Sequence, residues 1–134
     1  MKVRSLEPPH EEVVWDLRPS RWPVKSKIAC RSKIQYESGQ ILSKRYPLDP
    51  ILEDITIPKT RMSLDFFLPQ RSIAVEIQGQ QHYTQNSFFH KTKADFLKQK
   101  KRDSDKSFFC ELNGIKLIIV SKPEELMEYI NDTE

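Results

Sequence analysis

No run of apolar residues in this 134-residue chain approaches the roughly 20 needed to span a bilayer. The opening "MKVRSLEPPHEEVVW" also lacks the apolar stretch of a signal peptide, so we expect a cytoplasmic protein with no membrane association. Cysteine is nearly absent. Cys30 and Cys110 lie far apart, form no metal motif, and in a cytosolic chain are expected to be reduced and buried. No internal repeat, low-complexity segment, helix-turn-helix or zinc finger is visible, so no appended base-reading module is expected. Length leaves room for one globular domain with a single modest core.

What is present is unevenly distributed charge. The formal net charge of +3 is mild, yet "RWPVKSKIACRSK" near the start and "KTKADFLKQKKRDSDK" from Lys91 to Lys106 are basic clusters. Such clusters can complement phosphates. A solvated lysine-rich helix face explains the composition equally well.

Residues 1–24, rich in proline and charge, read as an N-terminal arm that packs through Trp15 and Trp22. Residues 25–134 read as one domain. Ile28, Ile34, Ile41 and Leu42 fit a helix from about Ser26 to Arg45, closed by Tyr46-Pro47 and weakened by Gly39. Three apolar runs follow, 51–57, 62–68 and 72–78, with breaks at Pro58, Pro69-Gln70 and Gly79, and they suggest an antiparallel meander. A helix from about Phe88 to Leu112 comes next. The run "IKLIIV" (115–120) then resembles a strand covered on both faces, and Pro123 opens a C-terminal helix at the position where proline is tolerated. The expected fold class is α/β, an α+β mixed sheet ordered helix, three strands, helix, strand, helix.

Polar residues interrupt these apolar elements. Alternation in the third run puts Ile73, Val75 and Ile77 on one face and Glu76 and Gln78 on the other. In the second run Asp65 shares a face with Phe67, with Leu64, Phe66 and Leu68 opposite. If the two strands pair through the turn near Gln70, Asp65 and Glu76 come close enough to share a cation. Two carboxylates in the middle of a small sheet repel and are costly to desolvate unless a positive charge sits between them. A hard divalent ion meets that need; so would a solvated face with a surface lysine beside each acid.

On the second helix Phe96, Asp103 and Cys110 share a stripe, with Lys106 one turn beyond Asp103. Asp103 is therefore expected to face inward, as half of a buried structural pair or as part of a site. His82, just past Glu76 and Gln78, is a candidate proton carrier as well as an ordinary surface or structural histidine. Lys98, Lys100, Lys101, Arg102 and Lys106 remain available to phosphate.

In this order the segments "LDFFLP", "EIQGQQHY" and "RDSDKSFFCELNGIKLIIV" resemble the PD-(D/E)xK nuclease superfamily. More specifically, they are similar to very-short-patch-repair-like and phage homing-type endonucleases, over roughly residues 32–120. The resemblance implies a restriction-endonuclease-like core and a metal-dependent endonuclease that hydrolyses DNA phosphodiester bonds, encoded by a phage or mobile element. It implies Mg²⁺, with Mn²⁺ able to substitute, held by Asp65, Glu76 and the main-chain carbonyl of Ile77. His82 would be the general base or acid, Asp103 would orient it, and Gln35 or Glu37 would stand for an acid that homing relatives take from their first helix. Gln78 replaces the usual lysine and cannot carry a proton at neutral pH. The alternative is therefore a catalytically weak or inactive nuclease-fold protein that binds DNA or regulates. A second copy or a partner protein is expected if both strands are to be cut, since one site cuts one strand at a time.

Overall fold

The computed structural model describes residues 1–78 and 93–132. Two short strands, β1 (Lys2–Arg4) and β2 (Glu12–Val14), pair antiparallel in the N-terminal arm. Helix α1 (Lys33–Arg45) precedes β3 (Leu52–Thr56), β4 (Ser63–Leu68) and β5 (Ile73–Ile77), and α2 (Lys93–Leu112) leads to β6 (Lys116–Val120) and α3 (Glu125–Asp132). The main sheet has the order β3-β4-β5-β6, antiparallel across the first three strands and parallel between β5 and β6. A parallel neighbour cannot be reached by a tight turn, and α2 lies in the required crossover. The mixed sheet and the three helices among the described residues agree with the expected fold class at that level.

Each sheet face carries its own apolar cluster. Leu42 of α1 and its C-cap Tyr46, with Leu126 and Ile130 of α3, pack on Phe66, Leu68 and Val75. On the other face Phe109 and Cys110 of α2 pack on Phe67 and Ala74, together with Trp15 of the arm. Trp15 is stacked on Phe67 with ring centroids 4.8 Å apart, and its indole N–H donates to the Thr56 carbonyl at 2.8 Å. Trp22 also packs against this cluster, and its carbonyl accepts from the Glu53 N–H at 3.0 Å.

Several boundaries differ from those read in the sequence. Helix α1 starts at Lys33, not Ser26, because Ser32 caps it: the extended Ser32 backbone (φ −153°) lets its side chain accept from the Gln35 N–H. Ile28 falls on the preceding turn and is 97% exposed. The second helix is described from Lys93; residues 88–92 lie outside the described residues. Strand β6 is covered on one face by the cluster holding Ile118 and Val120 and only partly on the other, where Leu117 packs against the second cluster. The strand ends the sheet order, and Lys116 and Ile119 are exposed. Gly39 lets α1 lie close against the sheet, since a Cβ there would lie 3.1 Å from Cζ of Phe66.

The expected alternation in β4 also fails at one residue. Leu64 belongs to the same cluster as Phe67, three residues on, while Phe66 and Leu68 belong to the other. Leu52 and Ile55 of β3 show the same three-residue step. Both phase changes occur between the paired rungs Glu53–Phe66 and Ile55–Leu64, which bracket Asp54 and Asp65. Asp54 has φ 52°, in the left-handed region that side-chain-bearing residues rarely adopt, and this local twist re-aims both strands.

Candidate functional site

The β4–β5 ladder stops where the acids begin. Its rungs run from Leu68–Ile73 to Phe66–Val75. Beyond them, the Asp65 N–H donates to Glu76 Oε2 and the Ile77 N–H donates to Asp65 Oδ2, both at 2.7 Å. Each carboxylate thus spends one oxygen on a backbone N–H of the opposite strand. These charge-assisted bonds take the place of ladder bonds and fix both side chains.

The remaining oxygens meet cations. Lys106 Nζ of α2 lies 2.6 Å from Glu76 Oε1, and Arg31 Nη2 contacts Asp65 Oδ1. Arg31 also pairs with Asp54 Oδ1 at 2.9 Å and donates to Gln35 Oε1 at 3.3 Å. Behind it Glu53, only 2% exposed, accepts from the Lys25 N–H at 2.8 Å, Gln35 Nε2 at 2.9 Å and Cys30 Sγ at 3.1 Å. Asp54 is further held by Lys25 Nζ. No buried side-chain nitrogen or oxygen among the described residues lacks a partner.

Asp65, Glu76, Ile77 and Gln78 open into a cleft of about 630 Å³. Arg31, Ser32 and Gln35 form one wall; Arg102, Asp103 and Lys106 of α2 form the other. Burial raises the Asp65 carboxyl above its ordinary range, against the Ile77 N–H, Arg31 and Lys106, which lower it. Burial and then the Asp65 charge push Glu76 up to about 7, opposed by Lys106. Desolvation and like charge both favour a proton or a cation at this pair. Cys110 is pushed up to about 12, first by burial and then by Glu76, so its thiol stays protonated at neutral pH. Both cysteines are free; Cys110 is buried and Cys30 partly so.

Among the described residues no group of three His, Cys, Asp or Glu side chains is arranged to hold a metal ion. The smaller donor set of a Mg²⁺ site, one or two carboxylates completed by water and substrate, does fit Asp65 and Glu76. Both face one cleft, and the oxygen of each that is not bonded to backbone is already turned to a positive charge.

Of the other residues singled out in the sequence, Asp103 is partly buried and lines the cleft beside Lys106. Gln35 is buried and bonded to Glu53 and Asp54, whereas Glu37 pairs with Lys33 at 3.8 Å and does not line the cleft. Arg102 and Lys106 reach the cleft; Lys101 pairs with Asp105, Lys100 lies over the Phe96 ring, and Lys98 is exposed. His82 lies outside the described residues.

Sequence reasoning missed Arg31, Glu53 and Asp54. The adjacent acids within the apolar run "ILEDITI" were a legible signal, since buried charges need partners. Nothing local marked Arg31 among its basic neighbours.

Comparison with known proteins yields viral relatives. Uncharacterized protein 033L of Invertebrate iridescent virus 3 is 39% identical over 64 residues, 48% of this chain and 33% of the relative. Uncharacterized protein 094L of Frog virus 3 is 36% identical over 100 residues, 72% of this chain and 61% of the relative. The chain thus spans less than two thirds of either relative. No family model and no solved structure matches. No described helix is long and apolar enough to cross a membrane.

Proposed function

We propose that this protein is a virus-encoded, metal-dependent endonuclease that hydrolyses DNA phosphodiester bonds, built on a restriction-endonuclease-like core. One observation carries the reading: Asp65 and Glu76 are buried, locked across the end of a strand ladder by reciprocal backbone bonds, and aimed into a cleft with cationic walls. Buried paired acids are costly, and a cleft that keeps them together is a candidate site on that ground. The viral relatives support the viral origin.

Asp65 and Glu76 would hold Mg²⁺, with the Ile77 carbonyl assigned as a third ligand from the resemblance alone. When bound, the ion supplies a water of lowered pKa and offsets charge on the scissile phosphate. Lys106 restores to the site the cation that Gln78 does not provide, and its Nζ can meet both Glu76 and a phosphate oxygen. Gln78, in the same cleft, can orient a water but moves no proton. Proton transfer is assigned to His82, and Asp103 on the α2 wall is assigned to orient it. DNA is the partner, and a second copy or another protein would complete a double-strand cut.

A second reading, a nuclease-fold module that binds DNA or regulates without cutting, draws on the same site: both carboxylates already carry cationic partners, and Gln78 stands where a lysine is usual. Incubating the protein with supercoiled plasmid in Mg²⁺, Mn²⁺ or chelator, beside Glu76→Gln, separates the two. Nicking that needs metal and is lost in the variant supports the nuclease. Salt-dependent DNA binding without nicking supports the module.

A further inference from the structure

Arg31 lines the cleft and touches two different acids while most of its side chain remains in solvent. Its guanidinium bridges Asp65 and Asp54, yet the side chain is 56% exposed, against 8% for Asp65 and 15% for Asp54. A cation placed only to satisfy a buried acid would be expected to be enclosed, as Lys106 is beside Glu76. Exposure makes the Arg31 contacts exchangeable, because solvent competes for them and a mobile side chain is held in one geometry at an entropic cost. The residue stands on the wall opposite Lys106 and Arg102, so the cleft has positive charge on both sides of its acidic floor.

Resting on the nuclease reading, we propose that Arg31 is a substrate-binding residue held in store. Its guanidinium shields Asp65 in the metal-free protein, gives up Asp65 Oδ1 when the carboxylate pair takes a divalent cation, and turns to a phosphate oxygen of the DNA. Three features fit this exchange. Asp65 Oδ1 is the oxygen not bonded to backbone, so releasing Arg31 leaves the Ile77 bond to Oδ2 intact. Asp54 gives Arg31 a second anchor at 2.9 Å, itself positioned by Lys25 and Gln35, which keeps the guanidinium at the cleft edge once Asp65 is given up. Guanidinium donors match phosphate oxygens in a fixed fork, which a lysine at this position would not reproduce.

Two binding measurements test this, neither needing turnover. Mn²⁺ uptake is followed by titration calorimetry for the wild type, Arg31→Ala, Arg31→Lys and Glu76→Gln. Binding of a DNA duplex is followed across salt concentrations with Ca²⁺ in place of Mg²⁺. Loss of a competing cation should tighten Mn²⁺ binding by Arg31→Ala about two- to fivefold, the worth of a partly exposed ion pair. The same variant should bind DNA more weakly, with a salt slope smaller by about one. Arg31→Lys, which keeps the charge and guards against a folding defect, should restore competition with Mn²⁺ but only part of the DNA affinity.

If Arg31→Ala leaves both affinities unchanged, or weakens Mn²⁺ binding while Glu76→Gln also does, Arg31 is structural and this proposal falls alone. If the wild type takes up no Mn²⁺ that Glu76→Gln removes, the nuclease reading fails and carries the proposal with it.

Discussion

The two ends of the β4–β5 pair are built from the same strands and behave oppositely. From Phe66 to Leu68 the strands form an ordinary ladder, with side chains divided between two apolar clusters. One residue further, at Asp65 and Glu76, carboxylate-to-backbone bonds take over. The first end is held by burial of apolar area, which tolerates no loss of volume. The second is held by charge, which helps only while each group has a partner. The apolar end provides the rigidity that keeps the acids together against their repulsion.

That contrast sets the expected scale of each perturbation. Glu76→Gln should lower metal-dependent plasmid nicking about a thousandfold or more, the several kcal/mol that metal-assisted charge stabilisation is worth. Its melting temperature should move less than that of any truncation at the apolar end; the reverse order would make the acids structural. Phe66→Ala removes a fully buried ring and should cost about 3–5 kcal/mol in denaturant unfolding, with cleavage lost only through unfolding.

The pH dependence sharpens the same distinction. Glu76 titrates near 7 in the folded chain, above its ordinary value of 4.5. Between those values the native state holds more protons than the unfolded one, so stability falls as pH rises. The metal-free protein should therefore lose about 1–3 kcal/mol between roughly pH 5 and 8 through this group, a slope that Glu76→Gln should remove and that thermal melts would read. Smallest is Gly39→Ala. Higher helix propensity favours it by about 1 kcal/mol. A Cβ 3.1 Å from the buried Phe66 ring should outweigh that gain, for a net loss of about 1 kcal/mol measured by chemical denaturation.

Much of this architecture was legible because it is local. Alternation marked β3, β4 and β5, and short polar breaks between them dictated the antiparallel order. The same alternation put Glu76 opposite Val75, as the clusters confirm. It misplaced Leu64 because strict period-two reading assumes ordinary backbone throughout, and Asp54 departs from it. The early start assigned to α1 failed for a related reason: apolar spacing through Ile28 and Ile34 carried no sign that Ser32 would end the turn and cap the helix.

The sequence by itself determined the order of α1 to α3 and β3 to β6 and the adjacency of Asp65 and Glu76, since each follows from periodicity and tight turns within a few tens of residues; it did not show the arm strands β1 and β2. Only the tertiary structure decided which cations answer those acids. Arg31 meets Asp65 across 34 residues and Lys106 meets Glu76 across 30, contacts set by how α1 and the crossover helix seat on the sheet. Among many lysines and arginines of similar local setting, packing selected these two, because a long flexible side chain is assigned its partner by where its backbone is held.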